Sequence, residues 1–363
     1  MSPPRVLLVV KGLDIGGIER IVVDLALGLA RRGARPEVAV VNDRRDGLRD
    51  LLRADGVPVH GLGGSDRIGA LASLRLARLI ARPGFDVVHV HGPLPALVAR
   101  LAPRHRPIVT TSHTLWSGLR LPVRVGWRLT SSRDAASVAV SAAVAASLPR
   151  SVGVHTRVIP HGVDPPAIAA ARAAAETGRV DAHGEVTAVA VASHRDVKNY
   201  PNLLRAIRVA LDAGAPLRLV AVGEGPDLER HRTLARELGL AGVVRFDAPT
   251  PDALGAIAAA DLLVVASDFE GQPLVVSEAL ALGRPVVATA VGRVPELVGP
   301  SVGRVVPPDD PAALGAALAE LALDPALRQA MGAAAAHAGL SWTLPDVVDA
   351  HLALYAEVRG TAS

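Results

Sequence analysis

The sequence has no cysteine, aromatic residues make up 2% of it, and lysine occurs only at Lys11 and Lys198. Without thiols there can be no disulfide, no thiolate-held cluster and no thiolate nucleophile. With so few rings the core must be built from Val, Leu, Ile and Ala, a composition that suits helices laid on a parallel sheet. No apolar run reaches the ~18 to 20 residues that span a bilayer, and "RVLLVV" at Arg5–Val10 is too short for a signal-peptide core. The chain is therefore expected in the cytoplasm.

What is present is half apolar and 363 residues long. That exceeds what one hydrophobic core usually serves, so two domains are expected. The net charge of +4 is unevenly shared: residues 1–165 carry 23 Lys+Arg against 12 Asp+Glu, and the remainder carries 16 against 23. A basic half of this kind suits nucleic acid, an anionic membrane or an anionic small substrate, and charge alone does not choose among them.

Short Val/Leu runs alternate with amphipathic stretches. In the first half "RVLLVV", "RPEVAVV", "GFDVVHVHG", "RPIVTTSHT", "SVAVS" and "TRVIPHGVD" read as strands, and "GGIERIVVDLALGLARRG" as a helix ending at Gly33. The alanine-rich stretch over 165–185 reads as a connector. The second half repeats the rhythm from "VTAVAVAS" to "GRVVPPDDPAALGAALAEL". Alternation of this kind implies two doubly wound α/β domains, with ligands outside the carboxyl ends of the strands.

One junction carries two carboxylates, Glu270 and Glu278, in "DFEGQPLVVSEALALGRPVVATAVG". Pro273 suits a first helical position and Gly283 the residue past the end, so a helix is expected over about 273–282. Backbone N–H groups near Gln272, Leu274 and Val275 would then point out of its N-terminus, where a phosphate is stabilised. Carboxylates on either side can accept hydrogen bonds from sugar hydroxyls. The plain alternative is a capping Glu270 and a solvated Glu278.

The stretch resembles the double-glutamate motif of the family-4 retaining glycosyltransferases. In the same order as in that family follow or precede "IGGIERIVVDLALGLARRG", "DVVHVHGP", "TTSHTLW", "VIPHGVD", "VASHRDVKNYPNLLRAI", "VGEGPDLERHRTLARELGL" and "VVATAVGRVPELV". The resemblance covers nearly the whole chain. It implies the GT-B fold: two facing Rossmann-like domains with an interdomain cleft, an acceptor-side domain over 1–165, a nucleotide-sugar domain over 166–343, and a last helix within 344–363 returning to the first domain.

The resemblance implies that Glu278 holds ribose hydroxyls, that Glu270 holds a hydroxyl of the transferred sugar, and that Lys198 binds the diphosphate. Gly271, Gln272, Pro273, Leu274 and Val275 would line the donor site between the two glutamates. A point charge near a leaving diphosphate offsets charge that grows in the transition state. Where the family has an arginine five residues before that lysine, this chain has Ser193, and Arg195 is the candidate to supply the guanidinium instead. Gly16 and Gly17 would let the first loop approach the diphosphate-sugar, and His113 would contact the sugar and the reaction centre. Gly223, with Gly225, is either a platform under the base or a tight turn required by sterics.

Other residues invite weaker readings. His89 and His91 alternate on one strand, which gives too few ligands for a metal. His161 is assigned a structural role. Trp116 and Trp127 among Arg120, Arg124 and Arg128 fit an acceptor surface or a patch at an anionic membrane, the alternative being an amphipathic helix covering the core. No nucleic-acid motif accompanies the charge.

The expected activity is retaining transfer of a sugar from a nucleoside diphosphate donor, a UDP- or GDP-sugar, to a glycan, lipid-linked or small hydroxyl acceptor in cell-surface polysaccharide, glycolipid or glycoconjugate synthesis. No cofactor and no metal are expected, and the location expected is the cytoplasm with peripheral contact at the inner face of the membrane. A nucleotide-sugar epimerase of GT-B fold and a non-catalytic nucleotide-sugar binder are the rival readings.

Overall fold

A computed structural model describes residues 3–43, 46–64, 69–102, 106–153, 156–178 and 184–360. The chain divides into two compact units: Met1–Gly162 together with Leu344–Ser363, and Val163–Thr343.

The first unit holds a seven-stranded sheet of β1 (Arg5–Val10), β2 (Arg35–Val40), β3 (Val59–Gly61), β4 (Val87–His91), β5 (Ile108–Ser112), β6 (Ala136–Ala139) and β7 (Thr156–Val158). Its order is β3-β2-β1-β4-β5-β6-β7, and every pairing is parallel. Parallel neighbours need crossovers, and a sheet covered on both faces is apolar throughout. β1 shows this in its buried run Val6–Val10. The helix Gly17–Arg31 presents Val22, Leu25, Ala26 and Leu29 inward, and the terminal helix Leu344–Gly360 packs beside it. A methyl on Gly28 would lie 2.4 Å from Val348 Cγ2, so glycine is what permits that approach.

The second unit holds β8 (Val186–Val191), β9 (Leu217–Val222), β10 (Val244–Asp247), β11 (Leu262–Val265), β12 (Val286–Thr289) and β13 (Gly303–Val306). The order is β10-β9-β8-β11-β12-β13, again wholly parallel. In each sheet the direction of winding reverses once, between β1 and β4 and between β8 and β11, and the loops leaving the carboxyl ends there frame a binding crevice.

Two expectations are corrected. The stretch after Asp164 is no simple connector: Pro165–Gly178 is a helix of the second unit, with Ile168 in its core and Arg172 donating to the Ala281 carbonyl at 2.6 Å. Alanine is the best helix former, so an alanine-rich run with one buried face folds rather than spacing domains. The part of that stretch at 179–183 lies outside the described residues. The tryptophans are also core, not surface. Trp116 is 9% and Trp127 3% exposed, packed edge to face with Val152 beside them.

Candidate active site

In the second unit the loops that leave β8 and β11, the strands on either side of the switch point, carry Lys198 and Glu270. Lys198 sits in a 3-10 turn, Asp196–Lys198, and its Nζ lies 2.5 Å from Glu270 Oε1. The same oxygen accepts from Ser267 Oγ at 2.8 Å. Ser267 is itself fixed, its carbonyl accepting from Thr289 Oγ1 at 2.6 Å. Both charges keep a fraction of their surface in water, 24% and 14%, so a ligand can reach them.

Neighbouring loops close tightly on these two. Gly292 has φ +52°, and a methyl there would lie 2.4 Å from the Glu270 carbonyl oxygen and 2.6 Å from that of Gly271. Arg293 N–H donates to the Gly271 carbonyl at 3.0 Å. On the other side, a methyl on Gly223 would lie 2.1 Å from the Ala192 carbonyl oxygen, and one on Gly225 2.2 Å from that of His194. The glycines of "VGEGP" thus meet a steric demand of the protein itself, seating the loop after β9 under the Lys198 loop. Asn199, in the left-handed region at φ 43°, adds a side-chain bond to Asp268 Oδ1 at 2.7 Å, and Asp268 N–H donates to the Val197 carbonyl. The two loops are therefore joined independently of the ion pair.

The helix that follows Glu270 runs Leu274–Ala281, with Pro273 one position earlier than expected, at the cap, and Gly283 at φ +72° past the end. It is buried through Val276, Ser277, Ala279, Leu280 and Ala281. By helix geometry the N–H groups of Leu274 and Val275 have no partner within it. Gly271 and Gln272 are buried at its approach, and Glu278 is half-buried one turn in. Arg195 is exposed three residues before Lys198, and its N–H donates to the Ser193 carbonyl. This unit accordingly gathers two opposite charges, a helix N-terminus and a second carboxylate along one sheet edge.

Gly16, Gly17 and His113 belong to the first unit. Gly16 caps the helix Gly17–Arg31 with extended backbone, and no protein atom lies within 4 Å of a methyl on Gly17, so that face of the loop is open. His113 follows β5. Its Nε2 lies 3.1 Å from His91 Nδ1, and its ring stacks on His161 at 5.4 Å. Burial, with added repulsion from His351, pushes His113 down to about 4, so it is neutral at physiological pH.

Of the outer patch, Arg120 and Arg128 are exposed, whereas Arg124 is half-buried and donates to the carbonyls of Leu119 (2.6 Å) and Ser117. The helix Leu121–Thr130 exposes Leu121, Val125 and Leu129. Spaced by four, these lie on one face. Sequence reasoning chose the tryptophans and missed this stripe, although its spacing was visible. It also missed Ser267, Asn199 and Gly292, whose roles depend on which strands are neighbours.

Two doubly wound parallel sheets, the second with its charged junction at the switch point, form the architecture of the GT-B glycosyltransferases. Residues 15–166 match Glycosyltransferase Family 4, and residues 179–338 match Glycosyl transferases group 1. The D-inositol 3-phosphate glycosyltransferase of Actinosynnema mirum is 32% identical over 95% of this chain and 93% of its own length. That of Kineococcus radiotolerans is 30% identical over 91% and 88%, and that of Corynebacterium jeikeium 42% identical over 39% and 36%. The chain belongs to glycosyltransferase family 4 and is a glycosyltransferase. The fold is that of Anabaena HepE in complex with UDP and glucose, with TM-score 0.84 and 20% identity over 97% of this chain and 99% of that one. Sucrose-phosphate synthase from Thermosynechococcus elongatus gives TM-score 0.82 and 20% identity over 99% and 100%.

Among the described residues no group of three or more His, Cys, Asp or Glu side chains is placed to hold a metal ion, and no helix is long and apolar enough to cross a membrane.

Proposed function

We propose that the chain transfers a sugar from a nucleoside diphosphate sugar, a UDP- or GDP-sugar, to a hydroxyl acceptor with retention at the anomeric carbon and without a metal. The observation that carries this reading is the Lys198–Glu270 pair beside the N-terminus of the helix Leu274–Ala281. It juxtaposes a cation and backbone donors for a diphosphate with a carboxylate for a sugar hydroxyl, while Glu278 serves the ribose. The solved relative crystallised with UDP and glucose supports the donor class.

In this reading Lys198 leaves Glu270 for the diphosphate, and Glu270, still held by Ser267, turns to the sugar. The bond from the anomeric carbon to the phosphate oxygen breaks, and a bond to the acceptor oxygen forms on the same face. The acceptor proton passes to the departing diphosphate. Lys198, with Arg195 nearby, and the helix N-terminus offset the charge that accumulates there. Burial keeps the histidine after β5 neutral, so it is a hydrogen-bonding group rather than a charged one.

The acceptor is a hydroxyl compound bearing an anionic group. The basic balance of residues 1–165 supports this, and inositol 3-phosphate in the relatives' names is an anionic polyol. The helix Leu121–Thr130 is the peripheral contact with an anionic leaflet: its apolar stripe enters the headgroup boundary, and Arg120 and Arg128 meet phosphates.

The deciding experiment incubates the protein with UDP-glucose, UDP-N-acetylglucosamine or GDP-mannose and an anionic polyol, without added metal, and follows product anomeric configuration by NMR. An α-configured product from an α-linked donor is expected. An inverted product, or a free isomerised nucleotide sugar, overturns the reading.

A further inference from the structure

Among the described residues only two outside glycine have positive φ, Asn199 at 43° and Asp309 at 54°, and their side chains are bonded to each other, Asn199 Nδ2 donating to Asp309 Oδ1 at 3.2 Å. Left-handed backbone is unfavourable for a residue with a Cβ, and it persists where the surroundings over-determine it, typically at functional sites. Here the two strained positions come from separate loops of the second unit. Asn199 follows Lys198 in the loop after β8, and Asp309 lies after β13, at the edge of the same sheet.

The Asn199 amide uses its oxygen and both its N–H groups. Oδ1 accepts from the Asn202 N–H at 3.1 Å, capping the helix Tyr200–Asp212, while Nδ2 donates to Asp268 Oδ1 at 2.7 Å as well as to Asp309. A reversed amide would set its oxygen against two carboxylates, so the partners fix its orientation. A cap needs only the oxygen. The two donated bonds go beyond capping and join three loops at the carboxyl end of the sheet.

Asp268 straddles the lysine. Its carboxylate takes Asn199 and its N–H donates to the Val197 carbonyl at 3.0 Å, so both chain neighbours of Lys198 are tied to a residue two positions before Glu270. We propose that Asn199 is a positioning residue for Lys198: it keeps the Lys198 backbone fixed against the Glu270 loop when a diphosphate draws the ammonium away from the carboxylate. This rests on the reading of Lys198 as the diphosphate cation. A lysine stem is flexible, so the reach of its charge is set by where its Cα is held. While the ion pair is closed it helps to hold the two loops together; once a donor has opened it, the bonds of Asn199 and Asp268 remain.

Asn199→Gly is the informative change, because glycine accepts the left-handed backbone and serves as a cap nearly as well, so that little but the two donated bonds is lost. Calorimetric titrations on the full chain compare it with Lys198→Ala and with the double variant. Asn199→Gly should weaken UDP binding about fivefold or more while uridine binding stays within about twofold, and it should add less than about twofold to the loss caused by Lys198→Ala, since both act through one contact. Asp268→Ala should reproduce the effect, and Asp268→Asn, which keeps an acceptor oxygen, should recover most of the affinity. Equal losses for UDP and uridine, full additivity with Lys198→Ala, or wild-type UDP affinity in Asn199→Gly overturns the proposal. Amide hydrogen exchange reads the clamp without ligand: the Asp268 N–H should exchange about fivefold faster or more in Asn199→Gly, and within about twofold of the wild type in Glu270→Gln. The reverse order overturns it too. If Lys198→Ala binds UDP and GDP like the wild type, the donor reading of Lys198 fails by itself, and the exchange rates still decide what holds its loop.

Discussion

Lys198 and Glu270, 72 residues apart in the chain, share an ion pair of 2.5 Å whose acceptor oxygen is also bonded by Ser267. The cation proposed for the diphosphate and the carboxylate proposed for the sugar thus neutralise each other until a donor arrives. On the proposed reading, donor binding exchanges one charge-assisted contact for another, which keeps the cost of opening the site low.

Removing the cation should therefore discriminate between ligands. Lys198→Ala should weaken UDP binding roughly 10- to 150-fold, the equivalent of ~1.5 to 3 kcal/mol for a charged hydrogen bond, and leave uridine binding nearly unchanged. Calorimetric titration with both ligands checks this, and equal losses would remove Lys198 from the diphosphate site.

The two glutamates should separate by ligand as well. Glu278→Gln should reduce UDP affinity, whereas Glu270→Gln should spare UDP and lower kcat for transfer by about tenfold or more. Wild-type UDP affinity in Glu278→Gln would place the ribose elsewhere.

Gly292→Ala puts a side chain at φ +52° and a methyl 2.4 Å from the Glu270 carbonyl oxygen. The expected result is a loss of about 1–3 kcal/mol of stability together with a fall in transfer rate, because the Glu270 loop must move. Thermal melts and initial rates on one preparation test it; an unchanged melting temperature would mean the loop adapts freely.

The exposed stripe should govern membrane contact. Leu121 and Leu129 are 71% and 77% exposed. Replacing both with glutamate should abolish sedimentation with phosphatidylserine vesicles, and Arg120→Gln with Arg128→Gln should weaken it in a salt-dependent way, since each basic residue near the surface contributes ~1 kcal/mol. Vesicle binding that survives all four changes would rule out this helix.

Acid should unfold the protein by a defined route. His113, His194 and His351 are each pushed down to about 4, chiefly by burial, from an unfolded value near 6.5. Between these limits the unfolded chain binds more protons, so stability is full above pH 6.5 and is lost as pH falls towards 4. Each such histidine contributes a slope of about 1.4 kcal/mol per pH unit inside that window. Urea melts from pH 7.5 to 4.5 measure it, and a flat profile would contradict the buried neutral histidines.

Most strands were legible because runs such as "RVLLVV" and "DLLVV" are buried on both faces and need no partner to be recognised. β3 was not, since Val59–Gly61 is short and partly exposed. The helix Pro325–Ala338 was also overlooked although its signal was present: Asp324 caps it through the Leu327 N–H, and Pro325 follows directly. In the site, Glu270, Glu278 and Lys198 stood out by motif, but their mutual distance depends on β8 lying beside β11, an order no local pattern encodes. The tryptophans misled for a related reason. Which side of Leu121–Thr130 is wet is decided by Val152 and the neighbouring helix Pro93–Leu101, which lie elsewhere in the chain.

The terminal helix has a consequence for biosynthesis. Its Tyr355 is fully buried against His89, Val348 fills the notch at Gly28, and Arg32 pairs with Asp349 at 2.7 Å. The unit that is translated first thus lacks this 17-residue helix until the whole second unit has been made. The second unit is one uninterrupted stretch of chain and can complete its core while synthesis continues. The usual vectorial order is inverted: the amino-terminal sheet waits through the synthesis of the second unit, and is completed by the docking of a helix that carries its own tyrosine and histidine into place.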